Sequence, residues 1–186
     1  ATVGGAAFTF GHQLDQALTL HAVWTPNTNT RYTVIHWLEN ADDDGYSYRE
    51  SENKTGATGA QTSAAAKSYT GFTAQTIAQQ TIAGDGSTIV NVYYKRNEYK
   101  VEFYERKNSR WQEIPNLRIT AKYGANISKK WPTYNGSSTW STTGDYNWYD
   151  GLQGPYQVNI ETMPLDGAKF YGPKTGSSSE SAHYYV

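Results

Sequence analysis

Two runs of alternating residues lie almost end to end in this chain, and what separates them decides how many cores it can build. From Ser87 to Tyr94 the alternation sets Val90, Val92 and Tyr94 on one strand face and Ile89, Asn91 and Tyr93 on the other. From Tyr99 to Tyr104 it sets Tyr99, Val101 and Phe103 against Lys100, Glu102 and Tyr104. Only Lys95–Glu98 intervenes, and it lacks the Asn-Gly or Asp-Gly pair that tight hairpins prefer. Locally, a hairpin loop and a seam between two domains both fit.

The wider sequence favours the seam. RYTVIHWLEN, from Arg31, and EYKVEFYERK, from Glu98, share an aromatic, a Val two residues on and an aromatic-rich end. TGATGAQTSAAAK (55–67) resembles KYGANISKKWP (122–132), each a Gly followed by a short polar stretch. STIVNVYYKR closes the first unit and SAHYYV the second. Three blocks in the same order predict an internal repeat. A chain of 186 residues is long enough for two small cores. Its Tyr, Thr and Val, punctuated by Gly, favour strands. Alanines in AQTSAAAK (60–67) predict a short helix.

Residues 31–94 resemble the Gram-positive surface repeats of the mucin-binding-protein-like (MucBP) and internalin B-repeat families. The matching pieces are YTVIHWLEN with DDDGY, KTGATG, AKSYTGF and GDGSTIVNVYYKRN. Residues 98–186 resemble a diverged, enlarged copy through YKVEFYE, ITAKYGANI and the terminal HYYV. Residues 8–24 resemble the closing strands of a Listeria–Bacteroides repeat, with His21 where an aromatic is usual. The front of that repeat is absent. The resemblance implies a mainly β (α+β) chain of tandem β-grasp domains, each a small mixed sheet with one short helix. It divides the chain into a partial repeat and linker (1–27), a first domain (28–97) and a second (98–186). Phe8, Phe10, Leu18, Leu20 and Trp24 then need burial, and packing against the first full repeat or another chain is expected. The resemblance also implies an extracellular, cell-wall-anchored adhesin, of which this chain is a fragment or processed form.

The chemistry expected from the residues is sparse. A net charge of −1 does not suggest a nucleic-acid partner. The chain has no cysteine, which removes disulfides, thiol catalysis and Cys-based zinc sites. No apolar run approaches the roughly 20 residues a membrane span needs. The histidines His12, His21, His36 and His183 are scattered, and no catalytic motif appears. No cofactor, metal or catalytic residue is expected. In ADDDGYSYRE, Asp42, Asp43 and Asp44 are consecutive, which suits an acidic turn better than a calcium loop. Arg106, Lys107 and Arg110 beside Trp111 read as a solvated loop.

The segment 131–151 has no counterpart in the first unit. It carries Trp131, Tyr134, Trp140, Tyr146, Trp148 and Tyr149 among small polar residues. These aromatics either fold inward as a satellite core or form a platform for sugar rings, with Asn147 and Asp145 as hydrogen-bonding groups. Trp131 is expected to be structural, and Trp140 or Trp148 exposed. The candidate ligand-binding set is therefore Trp140, Trp148, Tyr146, Tyr149, Tyr134, Asn147 and Asp145. The function expected is a monomeric, non-enzymatic adhesin stalk whose partners are neighbouring repeats. The alternatives are a glycan- or glycoprotein-binding module and an accessory domain of a secreted enzyme.

Overall fold

The computed structural model of the chain describes Gly11, Thr19 and residues 22–147, 151–152 and 155–173. Those residues are mainly β, in mixed sheets. The first unit holds β1 (Thr30–Glu39), β2 (Tyr46–Gly56), β3 (Phe72–Ala74) and β4 (Ile89–Arg96), in the order β2-β1-β4-β3. β1 and β4 are parallel, and the outer pairs are antiparallel. Alternation holds along both central strands. Tyr32, Val34, Val90, Val92 and Tyr94 are buried with Ala64 and Ile82 in one core.

The second unit begins one residue later, after Asn97, with β5 (Glu98–Lys107). One edge of β5 pairs with β6 (Arg110–Glu113) and then β7 (Ile119–Lys122), and a 3-10 turn at Pro115–Leu117 bulges between them. The other edge pairs, in parallel, with β12 (Ala168–Pro173), which is followed outward by β8 (Trp140–Ser141) and β11 (Tyr156–Gln157). A ribbon of β9 (Tyr146–Asn147) and β10 (Gly151–Leu152) stands apart. Val101, Phe103, Ile114, Ile119, Ile127, Trp140, Met163 and Phe170 form the second core, with Tyr99 against it. The β5–β6 turn is made by Asn108 and Ser109, both at positive φ, as a two-residue hairpin requires.

No α-helix occurs among the described residues, which corrects the expected helix over 60–67. So short a segment cannot repay helix nucleation, and it has an extended partner instead. Gly59 and Thr62 donate backbone hydrogen bonds to Ile82 and Gln80, and Ile82 donates back to Ala60. The Gln79 amide spans Thr62 and Ala64 from the side. This two-segment layer, not a helix, covers the first sheet. The second unit has the same layer: Gly124 and Ile127 donate to Met163 and Glu161, and Met163 donates back to Ala125. Gly59 and Gly124 both have positive φ at +82° and +74°, where glycine avoids the Cβ penalty.

The strand parallel to the first strand of the second unit is β12; SAHYYV, expected to close that unit, lies outside the described residues. Trp24, expected to pack against the first full repeat or another chain, is 88% exposed and so does not pack against the described residues of the first unit. Phe8, Phe10, Leu18 and Leu20 lie outside the described residues.

His36 occupies in the first core the place Phe103 holds in the second, two residues beyond the shared Val. It is fully buried. Its Nδ1 lies 2.8 Å from the Tyr94 hydroxyl, which accepts from the Lys67 amide. In the tautomer where Tyr94 donates to Nδ1, the neutral ring carries its proton on Nε2, on the side of Glu52. Nε2 has no hydrogen-bond partner, with the Glu52 carboxylate 3.7 Å away. Burial, helped by the Lys67 charge, holds the pKa below the ordinary 6.5, although Glu52 and Glu50 pull it up. A lowered histidine pKa means that the unfolded chain binds the proton first. Stability is therefore full above pH 6.5 and falls as pH drops below it. His36→Phe is expected to flatten this slope, which cannot exceed about 1.4 kcal/mol per pH unit. Urea titrations across that range check this; an unchanged slope counts against it.

Candidate functional site

The most developed polar constellation lies where β4 runs into β5. Asn97, the single residue between them, donates its backbone N–H to Gly71 O and accepts from the Tyr123 N–H. Arg96 stacks over Phe72 at 4.7 Å, donates Nε–H to Glu39 O and reaches Tyr123 O through Nη1. Gly71 has φ +80°, and a Cβ there would lie 2.2 Å from the Tyr123 ring. A side chain at 71 would push the second unit away.

Glu39 is the centre of this joint. Its side chain is 1% exposed and lies 3.1 Å from both Lys95 Nζ and Lys122 Nζ. It also accepts the Arg96 backbone N–H at 2.8 Å. Burial alone would raise its pKa, but the Arg96 N–H and the two lysines outweigh burial and hold it below the usual glutamate value. Lys122 comes from the second unit, so the buried carboxylate is shared across the seam.

The three aspartates fan out, and each has a different task. Asp43 closes its own turn by accepting from Gly45 N and Asn40 Nδ2. Asp42 accepts the Asn126 backbone N–H, and Asp44 pairs with Lys122 at 3.0 Å. Two of the three therefore dock the turn onto the second unit. Sequence reasoning found the acidic turn but missed its partners, because no local signal marks residues this far apart in the chain. Among the described residues no group of His, Asp or Glu is arranged to hold a metal ion.

The aromatic segment 131–151 turns inward where it is described. Trp140 is fully buried, 4.8 Å from Phe103, with Nε1–H donating to Pro132 O. Of the two tryptophans offered for exposure, Trp140 is therefore interior, because its pairing as part of β8 beside β12 carries it into the sheet. Trp131 packs on Phe103 and Phe170 and donates to Ser138 O. Tyr134 stacks on Trp140 and donates to Glu105 at 2.9 Å. Asn135 and Gly136, both at positive φ, make a tight turn between Tyr134 and Ser137; this Asn-Gly pair is a hairpin signal the sequence reading passed over. Asp145 is exposed, with its backbone N–H on the Thr143 hydroxyl. Tyr146 and Asn147 are placed in β9 by their backbones, and Trp148 and Tyr149 lie outside the described residues. Of the seven candidates, the described side chains of Trp140, Tyr134 and Asp145 do not form one platform, since Trp140 is interior and Asp145 exposed.

Exposed aromatics occur instead on the outer face of the first sheet. Trp37 stacks beside Tyr93 across the parallel β1–β4 pair and meets Tyr48 edge-on. Tyr46 meets Tyr93 at 4.9 Å. Trp37 Nε1–H donates to Asn91 Oδ1. The second unit has the matching cross-strand pair, Tyr104 and Tyr171, at 5.3 Å. Comparison with protein-family models, curated proteins and solved structures gives no match for the chain.

Proposed function

We propose that this chain is a non-enzymatic segment of an extracellular bacterial cell-surface protein, in which tandem β-grasp units act as a stiff stalk or adhesion module. The observation that carries the reading is the joint. A freely hinged pair of domains has no use for a carboxylate buried between lysines of both units, nor for a glycine beneath the neighbour's ring. One linking residue and several cross-seam bonds hold the relative orientation, which is what projecting a distal domain requires. The shared strand order and the matching covering layers support a duplicated unit. The neighbouring unit of the same chain is then the main partner. No described helix is long and apolar enough to cross a membrane. A glycan-binding role for 131–151 is the weaker reading, because its Trp140 is interior.

Residual dipolar couplings test the stalk directly. In the wild type, both units are expected to report one common alignment tensor. Arg96→Ala with Lys122→Ala is expected to give two tensors of different magnitude while each unit stays folded. Two different tensors in the wild type would defeat the proposal.

A further inference from the structure

Tension along the chain takes a short path through the first unit. It enters at Thr30, where β1 begins, and leaves at Arg96, where β4 ends. These two strands are neighbours in the centre of the sheet and run parallel. The chain therefore enters at one end of the pair and leaves at the opposite end. A pull between those points cannot peel the strands apart one bond at a time. It has to slide them past each other, which loads the evenly spaced ladder from Thr33–Ile89 to Leu38–Tyr94 together. β2, the covering layer and β3 lie between β1 and β4 in sequence, so they stay off the path until the pair slips.

Side chains reinforce that ladder. On its core face Tyr32, Val34 and His36 of β1 and Val90, Val92 and Tyr94 of β4 are all buried, so water does not compete for the bonds between them. His36 and Tyr94 are hydrogen-bonded across the pair at 2.8 Å, and Trp37 Nε1–H donates to Asn91 Oδ1 at 2.9 Å. Glu39 locks the far end. Its carboxylate accepts from Lys95 Nζ and the Arg96 N–H, and its backbone oxygen accepts from Arg96 Nε. These bonds join the end of β1 to the end of β4, so sliding breaks them as a group. The second unit repeats the plan: β5 and β12 are parallel neighbours, paired from Val101–Ala168 to Tyr104–Tyr171. Only Asn97 separates β4 from β5, so tension leaving the first pair passes straight to the second.

We propose that the chain bears tension between its ends, with the parallel pairs β1–β4 and β5–β12 acting as two shear clamps in series. The first is the stronger, having six paired positions against four and the Glu39 lock at its end. Glu39 then has a second task besides its contact with Lys122: it stops β1 from sliding out along β4. The inference rests on the stalk reading only for its setting, a chain under load. The strand directions that carry it are independent of how rigidly the two units are joined.

Single-molecule pulling on the full chain tests this. The chain has no cysteine, so two introduced thiols define where the force acts. Thr25→Cys with Lys107→Cys, both at exposed positions, pulls β1 against β4 in shear and loads β5 only along its own length. Thr25→Cys with Ser87→Cys, also exposed, attaches at the same end of both strands and unzips them. At one pulling speed the shear pair is expected to rupture at a force about threefold or more above the unzipping pair, because several ladder bonds must fail together. The shear event is expected to release about 20 nm of chain, the extended length of the first unit less its folded length. Glu39→Ala is expected to lower the shear force and leave the unzipping force unchanged, since its end of the pair opens last; Lys122→Ala is expected to change neither. Equal forces in the two directions, or a Glu39→Ala loss that is the same in both, would overturn the proposal. Two alignment tensors in the wild type would remove the stiff stalk and leave the clamps standing, whereas equal forces would remove the clamps and leave the stalk.

Discussion

Trp140→Ala is expected to destabilise the second unit by about 3–5 kcal/mol, the range for emptying a buried Trp or Phe site. The ring is fully buried between Phe103 and Tyr134. Its removal leaves a void that β8 cannot close, because that strand is held on both sides by β11 and β12. It also strands the Pro132 carbonyl, which Trp140 Nε1–H now satisfies. Urea unfolding should show a lower midpoint with an unchanged slope. Amides of β5 and β12 should exchange on the order of a hundredfold faster or more. Tyr48→Ala is the control. It removes a large aromatic from an exposed position and is expected to cost about 0.5 kcal/mol or less. Equal losses from the two variants would mean that exposure does not separate core from surface rings here, and the account of 131–151 as core would fail.

The strands were legible in the sequence because the evidence for them is local. Alternation around Val34, Val90 and Val101 is written in neighbouring residues, and so are the Gly-led blocks at 59 and 124. The helix was misread because alanine content is also local, while the competing partner of 60–62 is the extended run 80–82. The interior place of Trp140 was not legible for a similar reason. Its Ser and Thr neighbours look like a surface loop, but the strands that bury it arrive from 156–157 and 168–173. The joint was the least legible part. A row of aspartates announces a charged turn, yet nothing near it names Lys122 or Asn126. Its consecutive placement did carry one usable fact: adjacent side chains diverge, so three aspartates reach three different partners more readily than one ion.

Glu39→Ala is expected to cost about 2–3 kcal/mol and to loosen the seam. Removing one member of a buried ion pair leaves the others uncompensated, and here one carboxylate serves two lysines and a backbone N–H. The loss stays below that of a wholly buried pair because Lys95 is 57% exposed and can return to water. Lys122 is 22% exposed and keeps Asp44, but the Arg96 N–H loses its acceptor. Glu39→Gln keeps an acceptor for that N–H and removes the charge, so it should cost about half as much. A double-mutant cycle with Lys122→Met should return a coupling energy across the two units, since the residues belong to different sheets. The pH dependence follows from the lowered Glu39 pKa. A depressed carboxylate contributes fully above its unfolded value of 4.5, and that contribution disappears as pH falls through the lower folded value. Lys122, raised above 10.5 chiefly by Asp44, loses its contribution only as pH rises through that higher value. Between those limits the seam holds, and acid should open it before it unfolds the second core, whose buried residues are apolar. Common alignment that persists in Glu39→Ala, or that survives acid well below pH 4.5, would show that Arg96 and the Gly71–Tyr123 contact hold the units without the buried charge.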